Sequence, residues 1–377
     1  MKNEKTQTQT QTQTKTAYEG VANLQIQQLF KVMVDSGASD LHITVGSAPA
    51  MRVSGDIVRV KVGALTPDDT KRLIYQILTE KQKADLEKNL DLDFSFGIKG
   101  LARFRANVFY SKSSVAAVFR LIPSLIPDYE ALNLPPVLLE MVNVSSGLFL
   151  ITGPTGSGKS TTLASIIDKL NANSSSHIIT LEDPIEFVHQ HKMSLVNQRE
   201  VGVDTFSFGR GIKSLLRQDP DIVLIGELRD PETIEAALTI AETGHVVFGT
   251  LHTNSTVQTI NRIINVFPAD QQEQIRTLLS FVLQGVVAQQ LLPRVPKGRC
   301  MVQEILRITP AIRNLIREDK IHQVYSQMQI GQEDTGMNTM NQHIKKQLDA
   351  GLITTETAMT FSNNPEELAR MLGIQKK

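Results

Sequence analysis

At 377 residues the chain is longer than one hydrophobic core usually supports, so two domains are expected. Its 39 Lys and Arg balance 39 Asp and Glu, which argues against nucleic acid as the main partner, because neutralising phosphates needs clustered positive charge. A single cysteine, Cys300, excludes an intrachain disulfide framework and a cysteine-cluster zinc site, and fits a reducing cytoplasm with the thiol as a small buried hydrophobe.

In chain order, the polar N-terminus alternates Thr and Gln over residues 6–14 and lacks the apolar stretch of a secretory signal. Residues 1–16 have no apolar face to bury and read as a disordered low-complexity tail, with order expected from Ala17. Ile26, Leu29, Phe30, Met33 and Val34 recur at helical spacing, and Gly37 stands just past them as a stop. Residues 17–121 read as a small α+β domain. Val58, Val60 and Val62 alternate with Arg59 and Lys61, the period of a half-buried strand. Phe104, Ala106, Val108 and Tyr110 alternate with Arg103, Arg105 and Asn107, which places Arg103 and Arg105 on one strand face; Arg120 closes the apolar run 115–119. Residues 122–136 carry Pro123, Pro127, Pro135 and Pro136, a density that favours an extended linker.

Residues 137–377 form the second expected domain. Short apolar runs at 148–151, 178–181, 222–225 and 246–250 are separated by helical segments, the first at 160–170. Asp230-Pro231-Glu232 is a helix start and Gly244 suits that helix's end. The alternation predicts an α/β fold: a parallel sheet with helices on both faces, binding ligand at the carboxyl ends of its strands. The most apolar stretch, 278–292, is interrupted by Ser280, Gln284, Gln289 and Gln290, so no membrane span is expected and any membrane association runs through a partner.

After the first of these runs, Gly153-Pro154-Thr155-Gly156-Ser157-Gly158-Lys159-Ser160 matches G-x-x-x-x-G-K-[ST], and Thr161 follows inside the helix. Glycines let the loop curl so that backbone N–H groups converge on phosphate, and the helix adds its positive end. This predicts an ATP site in which Lys159 reaches the β- and γ-phosphates and the Ser160 hydroxyl ligates Mg²⁺. The run 222–225 ends in Gly226-Glu227, with Gly226 where such enzymes usually carry an aspartate. Two roles stay open for Glu227: holding Mg²⁺ through water, or positioning the attacking water. Glu182 and Glu186, after the run 178–181, are candidates to orient water in place of the missing aspartate. His252, at the carboxyl end of the run 246–250, is placed to donate to a γ-phosphate, and His245 at the other end is less suited. His189 and His191 are not expected to bind metal.

In order, these boxes are the P-loop, Leu181-Glu182-Asp183-Pro184-Ile185-Glu186-Phe187, residues 217–230 around Gly226-Glu227, and residues 243–253 from Thr243-Gly244-His245 to Leu251-His252-Thr253. Together they resemble the secretion-type ATPases of type II secretion and type IV pilus systems, from about Ala17 to the C-terminus. Within that superfamily the chain is similar to the pilus retraction (twitching motility) ATPases. Ala38-Ser39-Asp40-Leu41-His42-Ile43 resembles the opening of their N-terminal domain, and residues 311–318 resemble their retraction-associated C-terminal motif. Assembly and secretion relatives are longer at the N-terminus, and many carry a four-cysteine zinc site.

The resemblance implies a RecA-like P-loop motor domain, a C-terminal helical region and a smaller N-terminal PAS-like α+β domain. It implies a cytoplasmic homohexamer at the inner face of the inner membrane, with ATP between subunits and an inner-membrane pilus platform protein as partner. Arg103, Arg105 and Arg120 become candidates for charge contacts to phosphate, since a guanidinium fork stays protonated and binds bidentately. Thr309-Pro310 starts a helix on which Ile312, Leu315 and Ile316 share one face and Arg313 and Arg317 another. Ile312 and Leu315 are expected there to couple the motor to its partner. An accessory retraction paralogue, a pilus-assembly or secretion ATPase, a DNA-handling motor and a regulatory nucleotide-binding module are the alternatives.

Overall fold

The computed structural model describes residues 21–374 except Ser54 and Ser124, so the expected tail 1–16 and the onset of order at Ala17 lie outside the described residues. The chain divides after Ile122 into two compact units.

In the first unit, α1 (Ile26–Asp35) leads into β1 (Asp40–Ile43), β2 (Ala50–Val53) and β3 (Asp56–Arg59). Helices α2 (Pro67–Tyr75) and α3 (Glu80–Asn89) precede β4 (Asp91–Ile98), β5 (Ala102–Ser111) and β6 (Ser114–Ile122). The six strands form an antiparallel sheet in the order β3-β2-β1-β6-β5-β4. The residues at helical spacing bury Ile26, Leu29, Phe30 and Met33 against one face, where Phe30 meets Phe104 at 4.6 Å and Phe119 at 5.1 Å between ring centroids. Each fully buried phenylalanine contributes about 1.5–3 kcal/mol of hydrophobic stabilisation.

One strand departs from expectation. β3 stops at Arg59, and Val58 is 51% exposed instead of half-buried. It is the sheet's edge strand and all four of its residues are exposed, so no layer covers either of its faces. Val60 and Val62, beyond its end, pack against the hydrophobic cluster instead.

The second unit begins in residues 122–136, where Tyr129 and Leu134 are buried in its core. α4 (Val137–Val142), β7 (Gly147–Thr152), α5 (Lys159–Asn173), β8 (His177–Glu182), β9 (Leu195–Glu200), α6 (Phe208–Leu215) and β10 (Ile222–Ile225) follow. Next come α7 (Pro231–Glu242), β11 (Val246–Leu251), α8 (Thr256–Asn265), α9 (Gln272–Val282), β12 (Leu283–Pro293) and β13 (Arg299–Arg307). The chain ends in α10 (Pro310–Arg317), short α11 (Val324–Gln327) and α12 (Gln332–Thr335), then α13 (Met340–Asp349), α14 (Thr355–Phe361) and α15 (Pro365–Met371).

The seven-stranded sheet runs β13-β12-β7-β11-β10-β8-β9 and is parallel except for the antiparallel β12–β13 pair. Its central strands β7, β10 and β11 are buried along their whole length because both faces are covered. Leu148, Leu150, Val223, Ile225 and Val247 join the cluster of α6 to α10, whereas Phe149, Ile151, Ile222, Leu224 and Phe248 join that of α4 and α5.

The stretch 278–292 is split, with α9 ending at Val282 and β12 starting at Leu283. Among the described residues no helix is long and apolar enough to cross a membrane. Cys300 is buried with Ala288, Leu292 and Val302 under α13–α15.

Helix α10 also departs from expectation. Thr309 caps it as expected, but Ile312 and Ile316 are 0% exposed in the unit's own core and Leu315 packs beside them. The apolar face assigned to a partner is therefore spent on internal packing. Arg313 donates to the carbonyls of Ser280 and Phe281 at the end of α9, satisfying acceptors that a helix C-terminus leaves open.

Candidate nucleotide-binding site

The parallel strands β7, β8, β10 and β11 all end at one edge of the sheet, and their following loops meet in a cleft of about 410 Å³. Between β7 and α5 the loop turns through Gly153, Gly156 and Gly158, with φ of 143°, 81° and 87°. Those are conformations that only glycine adopts without strain. Thr155, Gly156, Gly158, Lys159, Ser160 and Thr161 line the cleft. Gly153 and Ser157 are buried at the loop's back, where a Cβ on Gly153 would lie 2.2 Å from the Gln289 carbonyl oxygen, and Pro154 is exposed.

Lys159 is 9% exposed, and its Nζ donates to the carbonyls of Gly153 at 2.8 Å and Pro154 at 3.2 Å. Burial lowers its pKa, against the charges of Glu227 and Glu186, which raise it.

The acidic residues divide into distinct environments. Glu182 ends β8 with Oε1 accepting from Thr180 Oγ1 at 2.6 Å and Gln198 Nε2 at 3.1 Å, while Oε2 faces the Glu186 main-chain N–H at 3.5 Å. Burial pushes its carboxyl above the usual range despite those donors. It buttresses the turn that carries Glu186, whose side chain is exposed in the cleft.

Glu227 follows β10 and meets Arg229 Nη2 at 2.7 Å and His252 Nε2 at 3.0 Å. Burial alone would raise its pKa, but the Arg229 hydrogen bond and the charges of His252 and Arg229 prevail, holding it below the usual carboxylate range. Glycine before Glu227 has a packing reason. A Cβ on Gly226 would come within 3.3 Å of Glu182 Cα and the Leu181 carbonyl, so the small residue lets the ends of β10 and β8 lie together. His245, at the far end of β11, bonds back to Ile240 O and Thr243 Oγ1 at 3.1 Å and lies outside the cleft.

Sequence reasoning missed Arg229, His189, Phe187, Thr250 and Arg299, which also line the cleft. Arg229 stood in a motif already singled out, but Arg299 comes from β13 and had no local signal.

Arg103, Arg105 and Arg120 lie on the first unit's sheet. They share the face opposite the phenylalanines. Arg105 sits directly across from Arg120, and Arg120 Nε donates to Asp40 at 2.8 Å. Arg103 Nη2 donates to Ser95 Oγ at 2.8 Å. Burial would raise the Asp40 pKa, but the hydrogen bonds of Ser39 and Arg120 keep it low, so the carboxylate stays charged between Arg120 and Arg52. Arg105 and Arg120 are both exposed, and Arg120 already has its anion in Asp40.

The model of the Type II/IV secretion system protein family matches residues 16–297. The chain is 48% identical over 343 residues to the type IV pilus retraction ATPase PilT of Pseudomonas aeruginosa, covering 91% of this chain and 99% of that one. It is 40% identical over 352 residues to the type IV pilus ATPase PilU of the same organism, covering 93% and 92%. A crystal structure of the pilus retraction motor PilT with bound ADP matches with a TM-score of 0.88 at 52% identity, covering 93% of this chain and all of that one.

Proposed function

Because this chain belongs to the Type II/IV secretion system protein family, we propose that it is an ATP-hydrolysing hexameric motor that powers type IV pilus retraction. The observation that carries the reading is the cleft itself, in which the Lys159–Thr161 helix start, Glu186, Glu227 and His252 converge. The match to PilT over almost the whole of both chains supports retraction as the work done.

ATP enters with its phosphates on the loop amides and the amino end of α5, and Lys159 leaves its carbonyl partners for the β- and γ-phosphates. The residues fit Mg²⁺, a hard cation commonly held by one or two protein oxygens together with phosphates: the Ser160 hydroxyl and the ionised Glu227 carboxylate both face the cleft. When bound, that ion neutralises charge developing on the transferred phosphoryl group. Glu186, exposed on the turn that Glu182 holds, orients the attacking water; in the free site Glu227 holds His252 through Nε2, and His252 turns that N–H toward the γ-phosphate once ATP is bound. Arg105, with Arg103 and Arg120 beside it, supplies positive charge to phosphate at an interface between subunits.

Differential affinity for ATP and its products biases one domain arrangement over another, and hydrolysis cycles the ring between them. In the cell this motor works in the cytoplasm against an inner-membrane platform protein of the pilus machine. Deleting the gene and imaging the cells tests this: surplus surface pili without twitching support retraction, whereas bald cells would assign the chain to assembly. Twitching lost with pilus numbers unchanged would instead favour an accessory role in retraction.

A further inference from the structure

The Gln289 side chain is 1% exposed, yet both of its polar atoms are engaged. Its Nε2 donates to the Ser157 carbonyl at 2.7 Å, and its Oε1 accepts from Thr162 Oγ1 at 2.9 Å and Gln303 Nε2 at 3.0 Å. β12 pairs with β7 as far as Ala288 opposite Thr152, so the next residue comes level with the start of the phosphate loop. The loop closes on Gln289 at two glycines. A Cβ on Gly153 would meet its carbonyl oxygen at 2.2 Å, and one on Gly158 would meet its Nε2 at 2.9 Å.

In a trans peptide the C=O and the following N–H point in opposite directions. Holding the Ser157 carbonyl on Gln289 therefore turns the Gly158 N–H away from β12, on the residue that lines the cleft. We infer that Gln289 is a positioning residue for the phosphate loop: it fixes the Ser157–Gly158 peptide so that its amide is offered to a nucleotide phosphate. The inference rests on the nucleotide reading above and adds to it a residue from outside every motif of the sequence.

The chemistry requires a primary amide. A carboxylate has no proton to give the Ser157 carbonyl, and an apolar side chain would leave that carbonyl and the Thr162 hydroxyl without their partner. The network also continues beyond Gln289. Gln303, 0% exposed, stands opposite it in the β12–β13 ladder, and the Gln303 main-chain N–H donates to His343 Nδ1 of α13 at 3.1 Å. Two glutamines thus connect the loop to the C-terminal helices.

The test titrates the full chain with ADP by calorimetry and measures ATP turnover, in wild type, Gln289→Met and Gln303→Met. Methionine keeps the volume and removes the amide. Gln289→Met should bind ADP about tenfold to a hundredfold more weakly and raise KM for ATP by a similar factor, with a smaller change in kcat. Gln303→Met, which leaves the bond to Ser157 in place, should weaken ADP by roughly threefold to tenfold. A merely structural glutamine would lower the melting temperature and leave both the ADP affinity and KM unchanged. That result in Gln289→Met, or in Gln303→Met if the first variant does not fold, overturns the inference. Wild-type protein that bound no ADP would instead sink the nucleotide site itself.

Discussion

His252 Nε2 lies 3.0 Å from Glu227 Oε1, so a polar contact joins the ends of the neighbouring strands β11 and β10 at the mouth of the cleft. Glu227 also holds Arg229, and these partners keep its carboxylate charged. Glu227→Gln keeps the shape and removes the charge. Its kcat should fall about a hundredfold or more while ADP affinity stays within roughly threefold. Single-turnover kinetics beside an ADP titration checks this, and a kcat near wild type would remove Glu227 from the chemistry.

Gly153→Ala probes the back of the phosphate loop. Its φ of 143° is foreign to alanine, and the new methyl would collide with Gln289. The loop must move, costing about 1–3 kcal/mol of stability and at least tenfold in ADP affinity. Denaturant unfolding and ADP titration read the two effects. Wild-type values for both would show that the loop tolerates a side chain there.

Much of the second domain was legible because its signals are local. An apolar run, a glycine loop and a helix-period segment identify β7, the phosphate loop and α5, and Asp230 caps α7 through the Thr233 N–H at 2.9 Å as its sequence implied. The approach of Glu227 to His252 was only half legible, since each residue marked a strand end but nothing in the chain said that β10 and β11 are neighbours. Gln289 and Arg299 were invisible. They reach the phosphate loop and the cleft through β12–β13, a hairpin whose place beside β7 is decided by long-range pairing. Exposure was misread at β3, where alternation without a covering layer buries nothing, and at α10, where an amphipathic face packs inward.

The α10 correction yields its own test. Ile312 is 0% exposed within the main core, so Ile312→Ala should cost about 2–5 kcal/mol in urea unfolding. Leu315, only partly buried, should cost less. An Ile312→Ala protein with unchanged stability but lost retraction would restore the docking role.

His189 makes stability fall with acid. It is 8% exposed, and burial pulls its pKa from 6.5 to about 4, Asp168 favouring and Lys192 opposing its charged form. Above pH 6.5 neither state binds this proton. Between pH 6.5 and about 4 the unfolded chain binds it first, so the folded state loses up to about 3 kcal/mol across that window. Glu182 and Glu304, raised by burial, act in the opposite sense. The measurement is therefore the difference between wild type and His189→Gln at each pH. That difference should change across the window; a constant offset from pH 7 to pH 4 would show that His189 titrates normally.

The most direct measurement is steady-state ATP hydrolysis by wild type and Lys159→Ala at equal concentration, with folding of both verified. The wild type should turn over ATP in the presence of Mg²⁺, and Lys159→Ala should not hydrolyse it above background. Equal turnover by the two proteins would contradict the assignment of the phosphate site.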